Sequence, residues 1–103
     1  MIINGVIWDI QYVPAGSECL RRSDGSLTVG MTNLTQKTVY LDSSLRGWFL
    51  RKVLCHEIVH VFCFSYDVSL PIETEEIVAD FVSTYGSDIV SLTDRILNDI
   101  CIA

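Results

Sequence analysis

The run VLCHEIVHVF, residues 53–62, contains both histidines of the chain, four residues apart, with a glutamate directly after the first. The surrounding segment, about residues 43–64, has no proline, and its apolar residues recur at near-helical spacing. This pattern predicts one long helix. Because residues four apart lie on the same face of a helix, we expect His56 and His60 to project in the same direction.

Two imidazoles on one helix face can bind a single metal ion about 2.0–2.1 Å from each nitrogen. Glu57 is offset around the helix, so it would miss the ion but lie close enough to act as general base on a water held there. The sequence therefore predicts His56 and His60 as metal ligands and Glu57 as the catalytic residue. The competing interpretation is a core helix whose two histidines pack without a metal.

With both histidines used, the third ligand must be a carboxylate or a thiolate, and the run ETEEIVADFV, residues 73–82, supplies the acids. We predict Glu76, because Asp80 lies four residues later and can accept a hydrogen bond from the second nitrogen of a liganding histidine. Glu75 is the alternative, because it would point closer to the metal if the apolar stripe of this segment packed on the first helix.

Cysteine placement leaves one further ligand open. Cys63 lies three residues after His60, and a thiolate there would close the metal site and make it structural. A buried, inert thiol is the simpler interpretation. Because no secretory signal is recognisable, we expect all four cysteines to be reduced and mostly buried; the other three are Cys19, Cys55 and Cys101.

The remaining elements predict an α+β fold in which strands precede helices. The strands are expected to form a short antiparallel sheet of about three members, at residues 6–13, 26–33 and 37–42. Gly30 within the second strand indicates a bulge or a close approach of another backbone. Three helices are expected to follow: the one described above with Ser43 or Ser44 as N-cap, a second beginning at 71–74 and ending near Gly86, and a third at about 87–100.

Size and composition limit the possible functions. At 103 residues the chain predicts one domain, 1–103, and its charged fraction of 19% argues against disorder. A net charge of −6 without a basic cluster excludes nucleic acid as a partner. No apolar run reaches the roughly 20 residues of a membrane span, so a cytoplasmic location is expected. The apolar content is also compatible with a homodimer formed through an exposed patch.

The motif HEIVH is followed by Glu76, sixteen residues after His60, and by Asp80 four residues later. This pattern resembles that of the gluzincin zinc metallopeptidases. It is similar also to the small ImmA/IrrE-like and minimal gluzincins of bacteria, phages and mobile elements, in which strands precede the HExxH helix and a glutamate-bearing helix. The resemblance implies a zincin-like fold, a Zn²⁺ cofactor and hydrolysis of a peptide bond in a peptide or protein substrate.

The resemblance also implies that an edge strand, here residues 26–33, binds the substrate in extended form. Besides zinc, the developing oxyanion needs a hydrogen-bond donor, for which Tyr40, Tyr66 and Tyr85 are candidates. The alternative function is a catalytically inactive, zinc-binding interaction module on the same scaffold.

Overall fold

The computed structural model describes residues 1–99, in which strands precede helices, and it confirms the α+β class. The predicted third helix reaches Ile100, which lies outside the described residues, as does Cys101. The elements are β1 (Ile2–Ile3), β2 (Val6–Ile7), β3 (Asp9–Val13), a short 3₁₀ helix (Glu18–Leu20), β4 (Gly30–Asn33), β5 (Thr38–Asp42), α1 (Gly47–Ser65) and α2 (Ile72–Asp99).

The main sheet is mixed, which corrects the expectation of a purely antiparallel one. Its order is β3-β5-β4; β3 runs parallel to β5, and β4 pairs antiparallel with β5. All five residues of β5 are buried, so this strand takes the centre. The long connection from β3 to β5 supplies the crossover that a parallel pair requires. The predicted strand over 6–13 is divided, because β1 and β2 form a separate antiparallel hairpin.

The core lies between the main sheet and α1. Its buried members are Trp8, Val39, Leu41, Leu45, Val53 and Val61. The Trp8 indole donates a hydrogen bond to Ser65 Oγ at 2.9 Å, and the Asn4 amide donates to the Ser65 carbonyl oxygen at 2.8 Å. The β1–β2 hairpin therefore holds the carboxyl end of α1 and fixes the direction in which this helix crosses the sheet.

The first helix begins later than predicted, and neither Ser43 nor Ser44 is its N-cap. Oδ1 of Asp42 accepts hydrogen bonds from the backbone nitrogen of Ser44 at 2.8 Å and from its hydroxyl at 2.6 Å. These bonds close a turn instead of a helix. Arg46 stands at the N-cap of α1 without a side-chain cap.

One continuous helix, α2, replaces the two helices predicted on either side of Gly86. A glycine costs a helix only about 1 kcal/mol relative to alanine, and no proline follows Pro71 to stop it. Residues 66–71 join α1 to α2, and α2 runs back along α1. Among residues 1–99, no helix combines the length and apolarity that crossing a bilayer demands.

Candidate metal centre

His56 and His60 project from one face of α1 toward the first turns of α2. Their Nε2 atoms lie 3.3 Å apart. One oxygen of Glu76 lies 3.2 Å from Nε2 of His56, and the other lies 2.8 Å from Nε2 of His60. Ligand atoms from these three residues all fall within 4.8 Å of one another, so the group could hold a metal ion.

The spacing and chemistry of these donors fit a small divalent cation. Tetrahedral ligands bound at 2.0–2.1 Å are about 3.3 Å apart. The His56–His60 distance equals this value, and the two distances to Glu76 lie within about half an ångström of it. Two imidazoles and one carboxylate suit zinc, and also iron or manganese.

The Nδ1 atom of each imidazole contacts a different carboxylate. Oδ1 of Asp80 lies 2.9 Å from Nδ1 of His56, and an Oε2 of Glu75 lies 2.6 Å from Nδ1 of His60. A proton on Nδ1 that is donated to a carboxylate leaves the Nε2 lone pair free. When both Nδ1 atoms carry the proton, the two rings present their Nε2 lone pairs to a shared ion.

The two acids that the sequence offered as rivals occupy different positions. Glu76 lies among the Nε2 atoms, whereas Glu75 contacts the outer nitrogen of His60. Glu75 would point closer to the metal if the apolar stripe of α2 packed on α1, but Ala79 is the only buried residue of α2. The sequence did not predict that Glu75 would be the acceptor for Nδ1 of His60. Two liganding histidines each need an acceptor for their second nitrogen, and three acids stand close together in residues 73–76, so this role could have been found.

Glu57 lies on the side of α1 that faces β4. Its side chain is 9% exposed, and Oε1 accepts a hydrogen bond from the Thr32 hydroxyl at 2.9 Å. Oε2 lies 4.0 Å from Nε2 of His56. Burial raises the pKa of Glu57, while the hydrogen bond from Thr32 and the neighbouring imidazoles oppose that rise. The carboxylate thus lies beside the cluster and is held by the sheet.

Gly30 permits this close approach of α1 to the strand, which is one of the two alternatives that the sequence left open. A Cβ added at Gly30 would lie 2.7 Å from Cγ1 of Val53 and 3.3 Å from Oε2 of Glu57. Both distances are shorter than ordinary van der Waals contacts. Glycine is therefore required for the packing of α1 and leaves the Glu57 carboxylate uncrowded.

The cluster opens onto a cavity of about 550 Å³. One wall comes from β4, an edge strand whose only partner within residues 1–99 is β5. A second cavity of about 310 Å³ also reaches His56 and Glu57, and it extends toward Lys52 of α1. Arg22 lines both cavities. Both cavities therefore adjoin the β4 strand at Gly30 and the cluster at His56.

The other candidate residues lie outside this cluster. Cys63 is buried, and burial together with the nearby Glu75 raises the pKa of its thiol. The tyrosine hydroxyl of Tyr40 bonds to the Gln36 side chain, Tyr66 stacks on Phe62 and Tyr85 packs on Phe81. None of the three tyrosines is among the residues of the described chain that line the 550 Å³ cavity.

The cysteines correct one expectation. Cys19, Cys55 and Cys63 are unpaired, as predicted, but only Cys63 is buried, while Cys19 is exposed.

The sequence matches no known family model, and a search of curated proteins finds no match.

Proposed function

We propose that the protein is a zinc-dependent metallopeptidase of the gluzincin type, an endopeptidase in which Glu57 activates the attacking water. One observation supports this function above all. The donor atoms of His56, His60 and Glu76 converge at tetrahedral spacing beside a buried carboxylate, on the wall of an open cavity. His56, His60 and Glu76 would hold the ion, and Asp80 and Glu75 would orient the two imidazoles.

A bound Zn²⁺ supplies a Lewis acid that acidifies water and polarises a carbonyl oxygen. Glu57 accepts the proton of the attacking water and transfers it to the nitrogen of the departing amine. Its raised pKa suits this task, because a general base is most effective when its pKa lies nearer the working pH. Thr32 keeps the carboxylate in place, so little reorganisation is needed during proton transfer.

The unpaired edge of β4 binds the substrate in this proposal. An extended peptide can add to a sheet edge through backbone hydrogen bonds, which give affinity without demanding a particular sequence. Residues on both sides of Gly30 line the two cavities next to the histidines. This arrangement suits an endopeptidase, because the peptide can continue beyond the cleaved bond in both directions.

Arg22 is our candidate for the oxyanion partner, in place of the three tyrosines. Its guanidinium has one long hydrogen bond, 3.4 Å to the Thr28 hydroxyl, and Arg22 lines both cavities. An arginine there can donate a hydrogen bond to the carbonyl oxygen as negative charge develops on it.

We place the activity in the cytoplasm, because the unpaired thiols of Cys19, Cys55 and Cys63 are typical of a reducing compartment.

The test compares the wild type with Glu57→Gln after purification without a metal-affinity step. Elemental analysis should find one zinc per chain in both proteins, and cleavage of a mixed peptide library, followed by mass spectrometry, should occur with the wild type only. Zinc in both proteins with no cleavage above Glu57→Gln would favour the inactive interaction module. Absence of bound metal would refute both functions.

A further inference from the structure

The distal segment of α2, residues 84–99, contains none of the buried residues of this helix. All of its residues are exposed except the half-buried Gly86. The segment nevertheless carries large apolar side chains: Tyr85, Ile89, Val90, Leu92, Ile96 and Leu97. Since α2 spans about 42 Å and α1 only about 28 Å, much of the segment extends beyond α1.

The apolar side chains of α2 follow a heptad pattern. Spacings of four and three alternate along a stripe whose six members are 37% to 53% exposed: Val78, Val82, Tyr85, Ile89, Leu92 and Ile96. In heptad terms the a positions are Val82, Ile89 and Ile96, and the d positions are Val78, Tyr85 and Leu92. We call these six residues the heptad stripe.

The heptad stripe is distinct from the face of α2 that packs on α1. At 3.6 residues per turn, it lies roughly 100° around the helix from the buried Ala79. Ala79 shares its face with Glu76 of the candidate metal centre. A partner on the heptad stripe would therefore leave both α1 and the metal cluster uncovered.

We propose that four residues of the heptad stripe, Tyr85, Ile89, Leu92 and Ile96, pair antiparallel with the same four residues of a second copy of this chain. Charge selects the register. When Ile89 of one copy packs against Leu92 of the other, the heptad geometry sets Asp88 of each copy beside Arg95 of the other. Two ion pairs then flank the central layers, and Tyr85 faces Ile96 in the next layer outward.

A parallel pair lacks this complementarity. It would set Asp88 beside Thr93 of the other copy and leave Arg95 without an acidic neighbour. Neither Asp88 nor Arg95 forms an ion pair within residues 1–99, so both are available.

Sedimentation equilibrium of the full chain in a thiol reductant tests the proposal. The wild type should be a dimer, and Asp88→Arg or Arg95→Asp should each weaken dimerisation on the order of tenfold, because two attractive pairs become repulsive. A 1:1 mixture of these two variants should form a heterodimer of wild-type affinity. Only the antiparallel register predicts this rescue.

Asp94→Arg is the matched control, because it changes the net charge as Asp88→Arg does but lies at heptad position f, away from the interface. It should leave the dimer intact, whereas Ile89→Asp should abolish it with the helix content by circular dichroism unchanged. A wild type that remains monomeric at about 100 μM would overturn the proposal. So would a failure of the mixture to restore the dimerisation that the single variants lose.

Discussion

Oδ1 of Asp80 lies 2.9 Å from Nδ1 of His56, one helix away and 24 residues later in the sequence. The Asp80 side chain is 71% exposed, whereas the His56 side chain is 19% exposed. A largely solvated carboxylate thus orients a mostly buried imidazole. Removing it changes the histidine without opening a cavity in the core, which makes Asp80 suitable for separating metal binding from folding.

Asp80→Ala should weaken zinc binding by about 10- to 100-fold, because the imidazole loses the acceptor that fixes its tautomer. The loss can be measured by competition with a chromophoric chelator. Asp94→Ala removes an exposed acid of the same helix far from the cluster, and it should not change the affinity. Equal affinities for wild type and Asp80→Ala would contradict an orienting role.

Changing Glu75 and changing Glu76 to glutamine should affect zinc binding differently. Glu76→Gln should abolish stoichiometric zinc binding, because the neutral amide is a poor ligand compared with a carboxylate. Glu75→Gln should retain one zinc per chain with lower affinity, because the amide oxygen can still accept a hydrogen bond from Nδ1 of His60. Elemental analysis after dialysis measures both outcomes, and the reverse ranking would make Glu75 the ligand.

Thr32→Val should move the acid limb of the pH profile of kcat/KM to higher pH. The Thr32 hydroxyl stabilises the ionised form of Glu57, so it lowers a pKa that burial raises. In the proposed mechanism Glu57 acts as a base only when deprotonated, so activity should fall as the pH drops through its pKa. Removing the hydroxyl raises that pKa, so activity is lost at a higher pH. An unshifted limb would show that the Thr32 hydrogen bond does not control the pKa of the base.

Gly30→Ala should destabilise the fold by about 1–3 kcal/mol, because the new methyl group overpacks against Val53 of α1. Urea unfolding measures the change. Gly86→Ala is the matched control, because its Cβ would contact only the exposed Val82 side chain of the same helix, at 3.2 Å. It should leave stability unchanged or raise it by up to about 1 kcal/mol. A loss of equal size in both variants would argue against close packing at Gly30.

Local patterns predicted more of the site than of the sheet. The i, i+4 spacing of His56 and His60 needs only a helix to bring the two imidazoles together, so the sequence alone predicted their convergence. The pairing of β3 with β5 depends on the path of the long connection between them. The periodicity of apolar residues within a strand carries no information on that path. Gly86 was predicted to break a helix because propensity alone was considered, whereas the flanking helix-compatible residues outweigh its cost of about 1 kcal/mol.

The short connection at residues 66–71 has a consequence for the order of folding. All groups that meet around the histidines come from α1 and α2, within 25 consecutive residues from His56 to Asp80. Contacts this local form quickly, because closing a short loop costs little entropy. The contact of Glu57 with Thr32 needs the strands as well. We expect a helical hairpin able to capture the ion to form before the sheet that restrains the base.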